Sequence, residues 1–255
     1  MVAVIDAPRL IEGPGTSETV WLPWLAGAPL RWLHDSPWLD GARRLVVVAP
    51  HPDDELLACG GLMAMHAERG GESLVVAVTD GEASHAEAAR PAHPEELRSM
   101  RFTERLEGLR RLGVGNAPVI RLGLPHGAVA QHVAMLRTQL VAVLRPTDLV
   151  VATWRLDGHP DHDAAGRAAA AACVAVGCRL FEAPVWTWHW AFPGDPRVPW
   201  SRLAALPIDR QALQRKVFAV DAHTSQLTAR GDGLGPVLVG TILERAHRAV
   251  ECFFG

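Results

Sequence analysis

The chain has no tyrosine, one lysine (Lys216) and no cysteine pair at C-x-x-C spacing. Without tyrosine, no phenol can assist chemistry at any site. The formal net charge of -3 gives no reason to expect a nucleic acid or an anionic membrane as partner, and the scarcity of lysine beside arginine carries no function. Cys59, Cys173, Cys178 and Cys252 each stand among apolar residues, which reads as buried thiols in a reducing compartment. The longest apolar run, Ala168 to Cys178, falls far short of the ~20 residues that span a bilayer. Asp6 and Pro8 interrupt the N-terminus, and no basic segment leads into an apolar core, so no signal peptide is expected. The expectation is a soluble, cytoplasmic protein.

What the chain does have is alternation of strand-like and helix-like segments. Leu45 to Ala49 is a short continuous apolar run, the pattern of a strand covered on both faces. A helical segment follows from Leu56 to Arg69, stopped by Gly70-Gly71. Leu74 to Thr79, Val119 to Leu122 and Leu149 to Trp154 read as further strands. Pro94 to Leu112, Val129 to Val143 and Asp163 to Val176 read as helices, the second with a clear i, i+4, i+7 apolar stripe. Repeated strand–helix order predicts an α/β fold, a Rossmann-like open and mostly parallel sheet with helices on both faces. Beyond Cys178 the pattern is mixed: a Trp-rich run, a strand from Leu203 to Ile208, a helix from Gln211 to Val220 and a C-terminal helix. The layout expected is one α/β domain over 1–255, with an arm at 1–44 pinned by Trp21, Trp24, Trp32 and Trp38, a core at 45–226 and a C-terminal helix within 227–255.

In open α/β sheets, ligands gather at the carboxyl ends of strands. After the first core strand comes Pro50-His51-Pro52-Asp53-Asp54-Glu55; after the fourth comes Asp157-Gly158-His159-Pro160-Asp161-His162. The topology brings these two loops together. Two histidines and one carboxylate make a metal centre with an open position. His51 and Asp54 are spaced to meet one ion. Neighbouring Asp53 and Asp54 point different ways, so one carboxylate can bind metal while the other faces water as general base. From the second loop, one of His159 and His162 completes the set and the other faces the substrate carbonyl, with Asp161 holding a ring nitrogen of its neighbour. An Asp-Asp pair after a strand also serves as a helix cap, but two such clusters in matching positions argue for a shared centre. The same ligand set would serve a non-haem iron oxygenase, although His-x-x-Asp spacing on an alternating scaffold disfavours it. No Gly-x-Gly-x-x-Gly follows the first strand, which argues against a dinucleotide site.

At these residues the chain resembles the PIG-L/LmbE family of zinc-dependent de-N-acetylases. The signatures are Pro50-His51-Pro52-Asp53-Asp54-Glu55 with Cys59-Gly60-Gly61, and His159-Pro160-Asp161-His162. Supporting features are Thr79-Asp80-Gly81, Arg101 with Glu104, Trp186-Thr187-Trp188-His189-Trp190 and His223-Thr224-Ser225-Gln226. The resemblance implies His51, Asp54 and His162 as ligands of one zinc ion, with Fe2+ as an alternative metal. It implies Asp53 as general base, and His159 acting on the oxyanion or leaving amine with Asp161 as its partner. The reaction implied is removal of an N-acetyl group from an amino sugar or an N-acetylglucosaminyl-type conjugate. The alternative is an amidase for a larger acyl group or a non-sugar amide. Two departures concern the substrate: Asp157 stands where some relatives have tyrosine, and His126 where many have aspartate.

Candidate substrate contacts are Asp80, His126, Trp188, His189 and His223. For the alternating Trp186, Trp188 and Trp190, one face of a strand in the core is the competing reading. Arg101 and Glu104 read equally well as a surface ion pair. The expected partner is a small sugar-containing N-acyl substrate, and a homo-oligomer is compatible with the sequence.

Overall fold

The computed structural model describes residues 8–33, 44–85, 93–230, 233–238 and 240–255. Asp6, Trp38 and residues 86–92 lie outside the described residues. In chain order the elements are α1 (Glu18–Gly27), β1 (Arg31–Trp32), β2 (Leu45–Ala49), α2 (Asp54–Glu68), β3 (Ser73–Ala77), α3 (Pro94–Leu112) and β4 (Val119–Arg121). After a 3₁₀ turn (Val129–His132) come α4 (Val133–Val143), β5 (Leu149–Thr153), α5 (Pro160–Val176), β6 (Arg179–Ala183), α6 (Thr187–Trp190), β7 (Leu203–Pro207), α7 (Arg210–Val220), α8 (Thr224–Leu227), α9 (Gly240–Ala246) and β8 (Val250–Phe254).

The strands form one eight-stranded sheet of order β1-β7-β8-β6-β5-β2-β3-β4. All neighbours are parallel except β8, which runs antiparallel to both β6 and β7. This is the open α/β sheet expected. β2 is buried along its whole length because its two faces feed different cores. Leu45, Val47 and Ala49 pack with α2, α3 and α7, while Val46 and Val48 pack with the Ala-rich face of α5 and with α4. A third cluster gathers Trp21, Trp154, Trp188 and Phe254 near the N-terminal helix.

Two topological facts place the site. The chain leaves β2 toward β3 on one side and later adds β5 on the other, so the switch point lies between β2 and β5. The loops after these two strands are the two histidine-rich loops. Helix α5 also comes very close to the chain leaving β5: a Cβ on Gly166 would lie 2.5 Å from the Thr153 carbonyl oxygen. Glycine there permits the approach that seats His162 beside β2.

The end of the chain differs from expectation. Among the described residues after α8 the one helix is the short α9, and the chain finishes as strand β8, which fills the gap between β6 and β7. Its sequence, Val-Glu-Cys-Phe-Phe, lacks any helical period. The Trp-rich run is also not a strand. It turns into α6, so Trp186 and Trp190 share one side and Trp188 points the opposite way. The arm contains α1 and a strand, β1, paired with β7.

Candidate active site

The first loop has an unusual backbone. Asp53 has φ 134°, the one positive φ at a non-glycine position among the described residues, and it sits at the N-cap of α2. A strained turn persists only where its surroundings hold it, and here α3 does so. Arg101 donates to the Pro52 carbonyl at 2.7 Å, to the Gly81 carbonyl at 3.1 Å and to the Asp53 carboxylate at 3.1 Å. One turn on, Arg105 donates to the His51 carbonyl at 2.7 Å and pairs with buried Glu55 at 2.9 and 3.1 Å. Burial pushes the Asp53 carboxyl up to about 7, and the Arg101 charge opposes the rise.

Around Asp54 the rings converge. Its Oδ2 lies 3.1 Å from His51 Nδ1 and 3.2 Å from His162 Nε2, and the donor atoms of the three residues all lie within 4.8 Å of one another. Each ring is backed by a carboxylate at its other nitrogen. His51 Nε2 meets Asp161 Oδ2 at 3.1 Å, and His162 Nδ1 meets Asp157 Oδ2 at 2.9 Å. Burial disfavours charge on His162, but Asp54 and Asp157 outweigh it and hold the ring up to about 10. A field that favours a proton there equally favours a metal cation. His162 Nε2 is buried and makes no hydrogen bond, despite its closeness to Asp54: the atoms surround a common point and do not form a donor–acceptor pair. This donor set fits a divalent metal, with second-sphere carboxylates orienting both rings.

His159 caps α5, its Nδ1 accepting the Asp161 backbone N–H at 3.1 Å. An accepting Nδ1 leaves the proton on Nε2. Burial and the neighbouring His162 and His51 rings push His159 down to about 2, so the ring is a neutral donor. The carboxylate expected to partner His159 does not: Asp161 bonds His51 and accepts the Gly127 and Val129 amides at 2.7 and 3.1 Å. The N-cap geometry turns its side chain away from its neighbour's ring.

A cavity of about 510 Å³ opens onto His51, Asp53, Asp54, His126 and His159, a size usual for small-ligand sites. The His126 ring centroid lies 4.5 Å from that of His51, and burial with the His51 charge pushes its pKa down to about 3. His189 also lines the cavity, its Nε2 within 3.2 Å of the Glu12 carbonyl. Three expected substrate contacts lie elsewhere. Asp80 is held by Arg121 at 2.9 Å and Arg98 at 3.3 Å. Trp188 packs edge-on against Trp21 with centroids 4.9 Å apart, because the α6 turn reverses its direction; Trp186 reaches the cavity instead. His223 is fully buried beneath α3, where a Cβ on Gly108 would lie 3.1 Å from its Nε2. Arg101 and Glu104 are not a surface pair: Glu104 turns away to accept Ser225 N at 2.7 Å and its hydroxyl at 2.6 Å.

Asp157 is a functional group that the sequence shows only as a departure from relatives with tyrosine there. It is fully buried; besides His162 it accepts the Val185, Trp186 and Thr187 amides and the Thr187 hydroxyl at 2.6 to 3.0 Å. An acid five residues before a candidate histidine ligand was the available signal. The pairing of Arg105 with Glu55 gave none, since it crosses from α3 to the first turn of α2.

Comparison with known proteins agrees with this geometry. The profile of the family described as PIG-L, GlcNAc-PI de-N-acetylase, matches residues 46–173, half of the chain. A 1D-myo-inositol 2-acetamido-2-deoxy-alpha-D-glucopyranoside deacetylase from Mycolicibacterium smegmatis is 31% identical over 78% of this chain and 83% of its own. One of the same description from Rhodococcus opacus is 29% identical, over 75% and 84%. The crystal structure of the conserved protein TT1542 from Thermus thermophilus superposes with TM-score 0.53 at 30% identity, over 72% of this chain and 80% of that one. The chain therefore belongs to the PIG-L family of GlcNAc-PI de-N-acetylases, and it is a metal-dependent deacetylase, a hydrolase acting on an amide.

Proposed function

We propose that the protein is one α/β deacetylase unit that holds a single zinc ion on His51, Asp54 and His162 and cleaves the acetamide of an N-acetylglucosamine-type conjugate. The observation that carries this reading is the convergence of two carboxylate-backed rings on Asp54 Oδ2. The neighbouring group of His51, His126 and His159 makes a poorer ligand set. It contains no carboxylate, and His159 has committed its Nδ1 lone pair to the Asp161 amide.

Zinc bound there would supply Lewis acidity and bring the pKa of water at the centre toward ~7. The protein's own groups do the rest. Asp53, whose carboxyl is raised toward neutrality, takes a proton from the attacking water as its oxygen bonds to the acetyl carbon. His159 donates its Nε2 proton in a hydrogen bond to the oxygen that becomes negative. Asp53 then passes its proton to the departing nitrogen, the C–N bond breaks, and acetate and a free amine result. Arg101 keeps the Asp53 carboxylate aimed throughout. No helix among the described residues is long and apolar enough to cross a membrane, which suits a substrate met in water. Metal analysis together with acetate release from N-acetylated amino sugars and their glycosides tests the reading. About one zinc per chain with acetate release supports it; a different metal at full activity removes the zinc assignment.

A further inference from the structure

Opposite the catalytic groups, the cavity changes character. Ile11 from the N-terminal arm, Leu57 from α2, Val185 after β6, and Val237, Leu238 and Ile242 near the C-terminus all line it. Trp186 adds an aromatic edge beside His159, their rings 23° from parallel. Except for Leu57, these residues lie outside the 46–173 stretch that matches the family profile. The catalytic groups thus lie within the matched stretch, and most of the far wall lies outside it.

The acetyl group lost in the reaction has two carbons and must sit at the catalytic end, against His51 and His159. The sugar ring needs polar partners, and the cavity offers them in Ser84 and in buried Gln226, whose Oε1 has no hydrogen-bond partner. What remains is mostly an apolar wall, edged by Glu12, His189 and Arg230. A second polyol would leave its hydroxyls facing groups that cannot pair with them, at a cost for each one buried. Apolar surface, by contrast, gains roughly 25 cal/mol for each Å² taken from water.

We infer that the amino sugar of the substrate carries an apolar aglycone, alkyl or aryl, that covers the wall formed by Ile11, Leu57, Val185, Val237, Leu238 and Ile242. This rests on reading the substrate as an N-acetylated amino sugar. Binding of product amines tests it without requiring turnover. Calorimetry of the zinc-loaded protein with the methyl, hexyl and myo-inositol glycosides of glucosamine should show the hexyl compound binding at least roughly tenfold tighter than the methyl. The inositol glycoside should bind no tighter than the methyl. Ile11→Asn and Val237→Asn, at half-buried positions, should each narrow the hexyl-to-methyl ratio. Equal affinities for hexyl and methyl, or tightest binding of the inositol glycoside, would overturn the proposal. Acetate release from the N-acetylated glycosides reads the underlying function separately. A hexyl preference without acetate release keeps the apolar subsite and removes the amino-sugar reaction; acetate release without the preference does the reverse.

Discussion

The two histidine-rich loops do the same job by opposite means. Each presents one ring toward Asp54, and each ring is backed by a carboxylate. The second loop is largely self-contained: Asp157 backs His162 from five residues away, His159 caps the helix it begins, and Asp163 accepts the Gly158 amide at 2.9 Å. The first loop borrows its support. His51 is backed by Asp161 from the other loop, and the strained Asp53 turn is held by Arg101 and Arg105 from α3. Local hydrogen bonds can fix a helix start cheaply, whereas a residue at φ 134° needs partners from outside its own segment.

If that contrast holds, variants in the two loops should fail differently. The largest effect is expected from His162→Ala, which removes a ligand from the self-contained loop. Metal content should fall to background with no measurable acetate release, while the fold survives as judged by circular dichroism. Retention of stoichiometric metal by this variant would move the centre elsewhere. Next is Asp53→Asn, which keeps charge-independent contacts but cannot take a proton. It should retain its metal and lose about 10²–10⁴ in kcat; near-normal kcat would end its role as base.

The contrast also explains what could be read from the sequence. The ligand-bearing motifs and the strands β2, β3, β4, β5 and β7 were legible because apolar runs and short-range spacing carry them, whereas β1 and β6 were not. Helix α3 was legible as a helix, yet the purpose of Arg101 and Arg105 was not. Their i, i+4 spacing looks like any polar face, and only the packing of α3 over the first loop turns them inward. The same limit hid the burial of His223 and the pairing of Asp80 with Arg98 and Arg121. For the Trp-rich run, alternation of tryptophans satisfied a strand pattern equally well, and the turn into α6 follows from Asp157 gathering three consecutive amides. The C-terminal strand was missed because its pairing partners, β6 and β7, lie far away in the chain.

Borrowed support should cost stability when withdrawn. Arg105→Met leaves Glu55 buried without its cation, a change that costs about 3–5 kcal/mol and should show in denaturant unfolding. Arg105→Met with Glu55→Gln should recover part of the loss, because the stranded charge is gone. A loss below about 1 kcal/mol for the single variant would mean that α3 does not brace the first loop.

The finest distinction lies between the two backing carboxylates. Each orients a ring, and loss of such a partner typically costs 10–100-fold in metal affinity, so Asp157→Asn and Asp161→Asn should both weaken zinc binding by about that much. They should differ in stability. Asp161 receives His51 and Gly127 on one oxygen and the Val129 amide alone on the other. An asparagine can turn its carbonyl to the first pair and set its amide against a single donor. Asp157 receives His162 and Trp186 on one oxygen, and Val185 together with the Thr187 amide and hydroxyl on the other. Whichever way asparagine turns there, its amide faces at least two donors, and a donor facing a donor leaves both unpaired. Asp157→Asn should therefore melt at a lower temperature than Asp161→Asn at matched zinc occupancy. Equal melting temperatures would show that the amides of 185–187 do not depend on Asp157, and the two carboxylates would then differ only in the ring each one backs.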